Sequence, residues 1–242
     1  MKHELAAIAL LPVLITQGLY VRKVTPRLPE PMGARSGLYG SGPSLNLLIL
    51  GDSAAAGVGV ATQEQALSGR LVAELGSHFR VSWKLIAQTG YKAKDVLAEL
   101  STTAAERFDV VVTSIGVNDV THETNPRQWI NRQGLIVELL RTKFRARHII
   151  LSSVPPMHLF PALPQPLRWY LGSRAKCFNS LLQEFVAGCT ACEFAETEFP
   201  LEPSYMATDG FHPGEPAYCL WASHVADIIR NRLAATITNQ TK

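Results

Sequence analysis

The apolar run Leu45–Leu50 ends in Gly51-Asp52-Ser53, and far downstream the chain reads Asp209-Gly210-Phe211-His212. A hydroxyl, an imidazole and a carboxylate are what acyl transfer through serine requires. The hydroxyl is a poor nucleophile until a base takes its proton, and the base needs a group that fixes its tautomer. Asp209 and His212 stand three apart, so one turn can set the carboxylate on one ring nitrogen and leave the other for Ser53. Ser53 falls where a buried strand would end and a helix begin. That places it at the carboxyl edge of a sheet, where α/β folds hold ligands. The N–H groups and positive dipole end of such a helix would favour an oxyanion.

Two more short blocks lie between these, Gln88-Thr89-Gly90 and Gly116-Val117-Asn118-Asp119. An amide such as Asn118 can donate to a transient anion without titrating. Gly90 is either a backbone donor or a turn glycine that needs positive φ. Asp52 and Asp119 read as braces for the loops that carry Ser53 and Asn118.

Positioning these blocks calls for alternating strands and helices. Short apolar runs predict strands at Leu45–Leu50, Val81–Ala87, Val110–Ser114, His148–Ser152 and Ala191–Ala195. Their near-continuous hydrophobicity is that of parallel strands covered on both faces. Helices are predicted over Gln63–Phe79, Ala93–Arg107, Pro126–Phe144, Arg168–Val186 and Glu215–Ala234. The alternation predicts an α/β fold with helices on both faces of the sheet.

With the blocks in this order, the chain resembles the SGNH (GDSL-type) hydrolase family, over roughly residues 45–235. The family's Ser, Gly, Asn and His correspond to Ser53, Gly90, Asn118 and His212, and its acid to Asp209. The resemblance implies a three-layer, flavodoxin-like α/β/α domain with a five-stranded parallel sheet. It also implies an oxyanion hole built from the Ser53 and Gly90 N–H groups and the Asn118 side chain. The first block reads Gly-Asp-Ser-Ala-Ala-Ala-Gly, without the longer hydroxyl-Thr-Asp-Gly continuation of some members.

Other chemistries fit less well. The chain has no Gly-x-Ser-x-Gly elbow, no phosphate-cradling glycine loop and no His-Glu-x-x-His. A net charge of +3 without a basic run beside aromatics gives no reason to expect nucleic acid. Cys189-Thr-Ala-Cys192 lacks the second pair a zinc site needs and reads as small buried residues. No cofactor or metal is expected. Of the remaining histidines, His148 and His224 fall in predicted elements and read as structural, while His122 and His158 fall in loops after strands.

The segment 154–170 holds five prolines with Met157, Phe160 and Trp169 among its apolar residues. It starts at the same sheet edge as Ser53, and long ordered loops there often carry function. It is expected to wall an apolar acyl pocket or to meet a membrane.

Domain organisation is read as a hydrophobic segment over 1–23, a Pro/Gly/Arg-rich linker or surface strap over 24–44 and the hydrolase domain over 45–242. The stretch 5–21 is at the short limit for spanning a bilayer. Three readings stand: an anchor or surface-associated helix, a helix packed on the domain, and a signal peptide, which lacks a clear cleavage site. Membrane association is favoured among them, and the more basic carboxyl side of an anchor would face the cytoplasm. The functional expectation is a serine esterase acting on lipophilic acyl esters. The alternatives are a carbohydrate O-acetyl esterase and an inactive binding module or membrane-tethered scaffold.

Overall fold

The computed structural model describes residues 9–122, 124–196, 200 and 202–240. The first four residues of the 5–21 apolar segment therefore lie outside the described residues. A six-stranded sheet forms the centre. Its strands are β1 (Ser36–Tyr39), β2 (Ser44–Gly51), β3 (Arg80–Ala87), β4 (Val110–Ser114), β5 (His148–Ser152) and β6 (Cys192–Ala195), in the order β1-β3-β2-β4-β5-β6. β2 to β6 are mutually parallel, and each matches a predicted strand.

The sixth strand is a correction to the expected five. β1 pairs antiparallel with β3 at the edge, Ser36 opposite Lys84 and Tyr39 opposite Val81. Its four residues, drawn from the stretch read as linker, are all exposed. An edge strand that buries nothing leaves no hydrophobic period to detect; its pairing rests on backbone hydrogen bonds.

β2 shows why the fold is doubly covered. Leu45, Leu47 and Ile49 point into one core with α3 (Leu67–Gly76) and α8 (Glu215–Gln240). Leu48 and Leu50 point into the other, with α4 (Ala93–Thr102), α6 (Pro126–Thr142) and α7 (Leu167–Ala187). The period of two thus feeds both layers. In the second core Trp129 of α6 packs on Phe178 of α7, ring centroids 4.6 Å apart, both fully buried.

Helix ends differ from expectation for local reasons. α3 begins at Leu67 because buried Gln63 bonds outward, to the Ala56 carbonyl at 2.9 Å and from the Ser68 hydroxyl at 2.7 Å. α4 stops at Thr102, where the Lys143 ammonium donates to the Leu100 and Ser101 carbonyls, each at 2.8 Å. The helix expected to begin at Ser53 is α2 (Ser53–Ala56), a single turn, whereas the short helix α5 (Val117–Thr121) was not anticipated.

Ahead of the sheet, α1 (Leu11–Val24) packs on the start of α7 through buried Leu14 and Val21. Gln17 bridges to the five-proline segment, donating to the Gln165 carbonyl at 2.7 Å and accepting from Leu167 N–H at 3.0 Å. Among the described residues no helix is long and apolar enough to cross a membrane. All four cysteines are free thiols.

Candidate active site

Three central strands end at one level: Gly51 of β2 lies between Ala87 of β3 and Ser114 of β4. A side chain at Gly51 would collide with the Ser114 carbonyl, so glycine lets the chain turn tightly there. Asp52 N–H then donates to that carbonyl at 3.1 Å, and the Asp52 carboxylate caps α2 by accepting from Ala54 N–H at 3.1 Å. Gly57, with φ of 93°, closes this single turn. Buried Tyr218 of α8 secures it from below, its hydroxyl donating to Val58 O at 2.8 Å. Ser53 is therefore the first residue of a short, firmly held helix at the sheet's carboxyl edge.

Asp209, His212 and Ser53 form one hydrogen-bonded chain. His212 Nε2 is 2.8 Å from Ser53 Oγ, and His212 Nδ1 is 2.6 Å from Asp209 Oδ2. Asp209 Oδ1 accepts from the Phe211 and His212 N–H groups, both at 3.0 Å. Burial alone would raise the Asp209 carboxyl. The hydrogen bonds and charge of His212, with the Phe211 N–H, outweigh it and hold the group below its ordinary value. An ionised, doubly anchored carboxylate keeps the proton of the neutral imidazole on Nδ1 and leaves Nε2 to accept from serine.

Gly90 lies in the turn from β3 to α4 with φ of 88°. Asn118 sits on α5 and donates from Nδ2 to the carbonyl of Tyr91 at 3.0 Å, which joins the third block to the second. Asp119 accepts from Ala93 N–H at 2.9 Å and so fixes the start of α4 to α5, the bracing expected of it. Gly116, before α5, has φ of 156°, and a Cβ there would press on Val154.

Beside Ser53 is a mainly apolar cavity of about 40 Å³, with Val117, Pro155, Phe160, Met206, Phe211 and Trp221 among its walls. Of the three segment residues expected to touch substrate, Phe160 lines it. Met157 is fully buried in the core, and Trp169 stands half-buried on α7; neither is among the lining residues. The five-proline segment reaches the site through Phe160, whose ring meets Phe211 edge-on at 5.1 Å, and through Ala162 N–H to Gly210 O at 3.2 Å. His122 and His158 do not line the cavity, and His148 pairs with Glu193 at the amino end of β5.

Sequence reasoning missed Val117 and Phe211, apolar residues inside the blocks themselves. Their signal was their position between Gly116 and Asn118 and between Asp209 and His212. It also missed Glu30, which no motif marks. The Glu30 carboxylate accepts from Thr89 N–H at 2.7 Å and from the Thr89 hydroxyl at 2.8 Å, and pairs with Arg35 at 3.0 Å. Arg35 in turn donates to the Ala87 carbonyl. The segment before β1 thus clamps the turn that carries Gly90. Among the described residues, no three His, Cys, Asp or Glu side chains gather to hold a metal ion.

A model of the GDSL-like lipase/acylhydrolase family matches residues 49–220. A GDSL-like esterase of Mycobacterium tuberculosis is 27% identical over 91% of this chain and 77% of its own length. Among solved structures, a psychrotrophic esterase of Pseudoalteromonas sp. superposes with a TM-score of 0.59 at 19% identity, covering 78% of this chain and 98% of that one. A carbohydrate esterase family 2 enzyme of Corynascus thermopiles superposes at 0.64 with 12% identity, covering 86% and 69%. These two likenesses concern the fold.

Two measurements follow from the geometry. Replacing Glu30 by Ala frees the Thr89 turn, so turnover of a soluble ester should fall about tenfold with an unchanged melting temperature, as small displacements of a positioned group do. Unchanged turnover would show that the turn holds itself. Asp52 is buried, its second oxygen has no hydrogen-bond partner among the described residues, and burial pushes its carboxyl up to about 7 against the opposing Ala54 N–H. That lies above the unfolded value near about 4. The stability tied to its protonated form is complete below the unfolded value and is lost as pH rises through about 7. Asp52→Asn should therefore gain melting temperature over the wild type progressively between about pH 4 and pH 7 and keep the gap above that; a gap that does not change with pH would show that Asp52 does not titrate there.

Proposed function

Because the chain belongs to the GDSL-like lipase/acylhydrolase family and is an ester-hydrolysing enzyme, we propose that it cleaves esters of short carboxylic acids through an acyl-serine intermediate. The observation that carries the mechanism is the unbroken Asp209–His212–Ser53 hydrogen-bond chain.

In this reading His212 Nε2 takes the Ser53 proton as Oγ attacks the ester carbonyl, and Asp209 stabilises the imidazolium. The oxyanion is held by the N–H groups of Ser53 and Gly90 and by Asn118. The Ala54 N–H is already committed to Asp52, which leaves Ser53 as the donor proposed from that turn. Asn118 spends one amide hydrogen on Tyr91 O and has a second for the oxyanion. His212 then passes its proton to the leaving alcohol. Water, activated by the same imidazole, releases the acid and restores the Ser53 hydroxyl.

Cavity size supports the short acyl group. About 40 Å³ is small beside the roughly 300–1,000 Å³ of drug-sized ligand sites, which suits a tail from acetyl to butyryl more than the long lipophilic chain suggested by the five-proline segment. In this reading the alcohol lies toward a larger open cleft of about 380 Å³ that shares Met206 with the cavity. Ser204, Thr208 and Glu215 lie among the lining residues of that cleft. Their polar groups favour, as a second reading, a sugar as the alcohol.

Turnover of p-nitrophenyl esters from acetate to palmitate, with wild type beside Ser53→Ala, tests both parts. Activity should peak at acetate to butyrate and disappear in the variant. An optimum at long chains would overturn the acyl assignment, and full activity of Ser53→Ala would overturn the nucleophile. Asn118→Ala should lose on the order of 100- to 1,000-fold in kcat, the cost of one oxyanion donor; retention of full kcat would remove Asn118 from the oxyanion hole.

A further inference from the structure

The helix α1 buries only one stripe. Leu10, Leu14 and Val21 join the core, with Gln17 beside them. Around the rest of its circumference, Leu11, Val13, Ile15, Leu19, Tyr20 and Val24 are exposed, Leu19 at 63% and Tyr20 at 61%. A helix in water ordinarily turns polar residues outward. Here six of the exposed side chains are large and apolar, a surface of the kind that marks an interaction site.

Three observations say what covers it. The first is charge. Arg22, Lys23 and Arg27 are exposed at the carboxyl end of the helix and just beyond it, and residues 9–29 contain no Asp or Glu. The second is length. The described helix rises about 21 Å over its fourteen residues, less than a hydrocarbon core of about 30 Å. The third is place. Gln17 ties α1 to Gln165 and Leu167 of the segment whose Phe160 walls the acyl cavity. At the other end, Arg22 acts electrostatically on His122, which caps the helix bearing Asn118; burial, with Lys92 and Arg22, keeps that imidazole below its ordinary value. The helix therefore runs along the sheet edge that carries the site.

We infer that the exposed apolar face of α1, with Arg22, Lys23 and Arg27 beside it, docks the enzyme on an anionic lipid surface with the active-site edge turned toward that surface. Apolar side chains enter the acyl boundary while the cations meet lipid headgroups. The inference is independent of the proposed acyl preference, since the helix contributes no side chain to the cavity.

Co-sedimentation of the full chain with vesicles tests it, using phosphatidylcholine alone and phosphatidylcholine mixed with phosphatidylglycerol. The wild type should bind the mixed vesicles more tightly, on the order of a hundredfold for three cations, and added salt should weaken that binding. The double variant Ile15→Glu, Leu19→Glu should lose binding to both at least about tenfold. Lys23→Glu with Arg27→Glu should lose only the preference for anionic lipid. All variants should keep wild-type turnover of p-nitrophenyl acetate, which reports the site separately from the surface. The inference falls if the wild type stays in the supernatant with both vesicles, or if the Ile15→Glu, Leu19→Glu variant binds like the wild type. It also falls if sedimentation velocity shows a self-associating wild type that this variant dissolves, with no vesicle binding; a second copy of the chain then covers the face.

Discussion

The site depends on one close approach, the passage of Gly51 against the Ser114 carbonyl. Parallel strands joined by helices end together only if their registers agree, and here Gly51, Ala87 and Ser114 stand at one level. The missing side chain lets β2 turn at once into α2, with Asp52 N–H taking the Ser114 oxygen. Ser53 is thereby delivered beside the turns that follow β3 and β4, where Gly90 and Asn118 lie. A Cβ at this point would force apart the strands whose spacing sets the distances between these groups.

Two aspartates near this turn show how environment divides roles. Both Asp52 and Asp209 are buried. Asp209 accepts two backbone N–H groups and pairs with the imidazole, which together hold its carboxyl below its ordinary value. Asp52 accepts from Ala54 N–H with one oxygen, leaves the other without a partner among the described residues, and is driven toward its neutral form. The difference lies in the donors aimed at each carboxylate, because burial penalises the charge of both. An Asp52 that is protonated near neutrality would not compete with Asp209 for the charge of His212.

Much of this was legible in the sequence. Parallel strands covered on both faces must be apolar along their whole length, so β2 to β6 stood out. The reacting groups cluster at strand ends and could be paired by spacing, as with Asp209 and His212. Less legible were features without a periodic or motif signature. β1 buries no side chain, and the brevity of α5 hides it from any helical period. The acyl wall was only partly readable: prolines announced an ordered segment, yet which side chain faces the cavity depends on how it folds back. Phe160 does so by meeting Phe211, while Met157 turns into the core.

The segment ahead of β2 illustrates the remaining gap. Composition made residues 24–44 a linker or a strap across the surface without marking Glu30 and Arg35, which are bound to the strand end and turn that precede Gly90. A single carboxylate taking both the N–H and the hydroxyl of Thr89 fixes a turn that has few apolar contacts to hold it. Gln17 does the corresponding work on the other side, holding the segment that ends at α7. Both are polar side chains acting across long sequence separations, and nothing local in the chain announces such pairs. The four motif blocks supply the candidate reacting groups, whereas the geometry of two of the loops around them is set by residues that precede the first block, so candidate chemistry and positioning are written in different parts of the sequence.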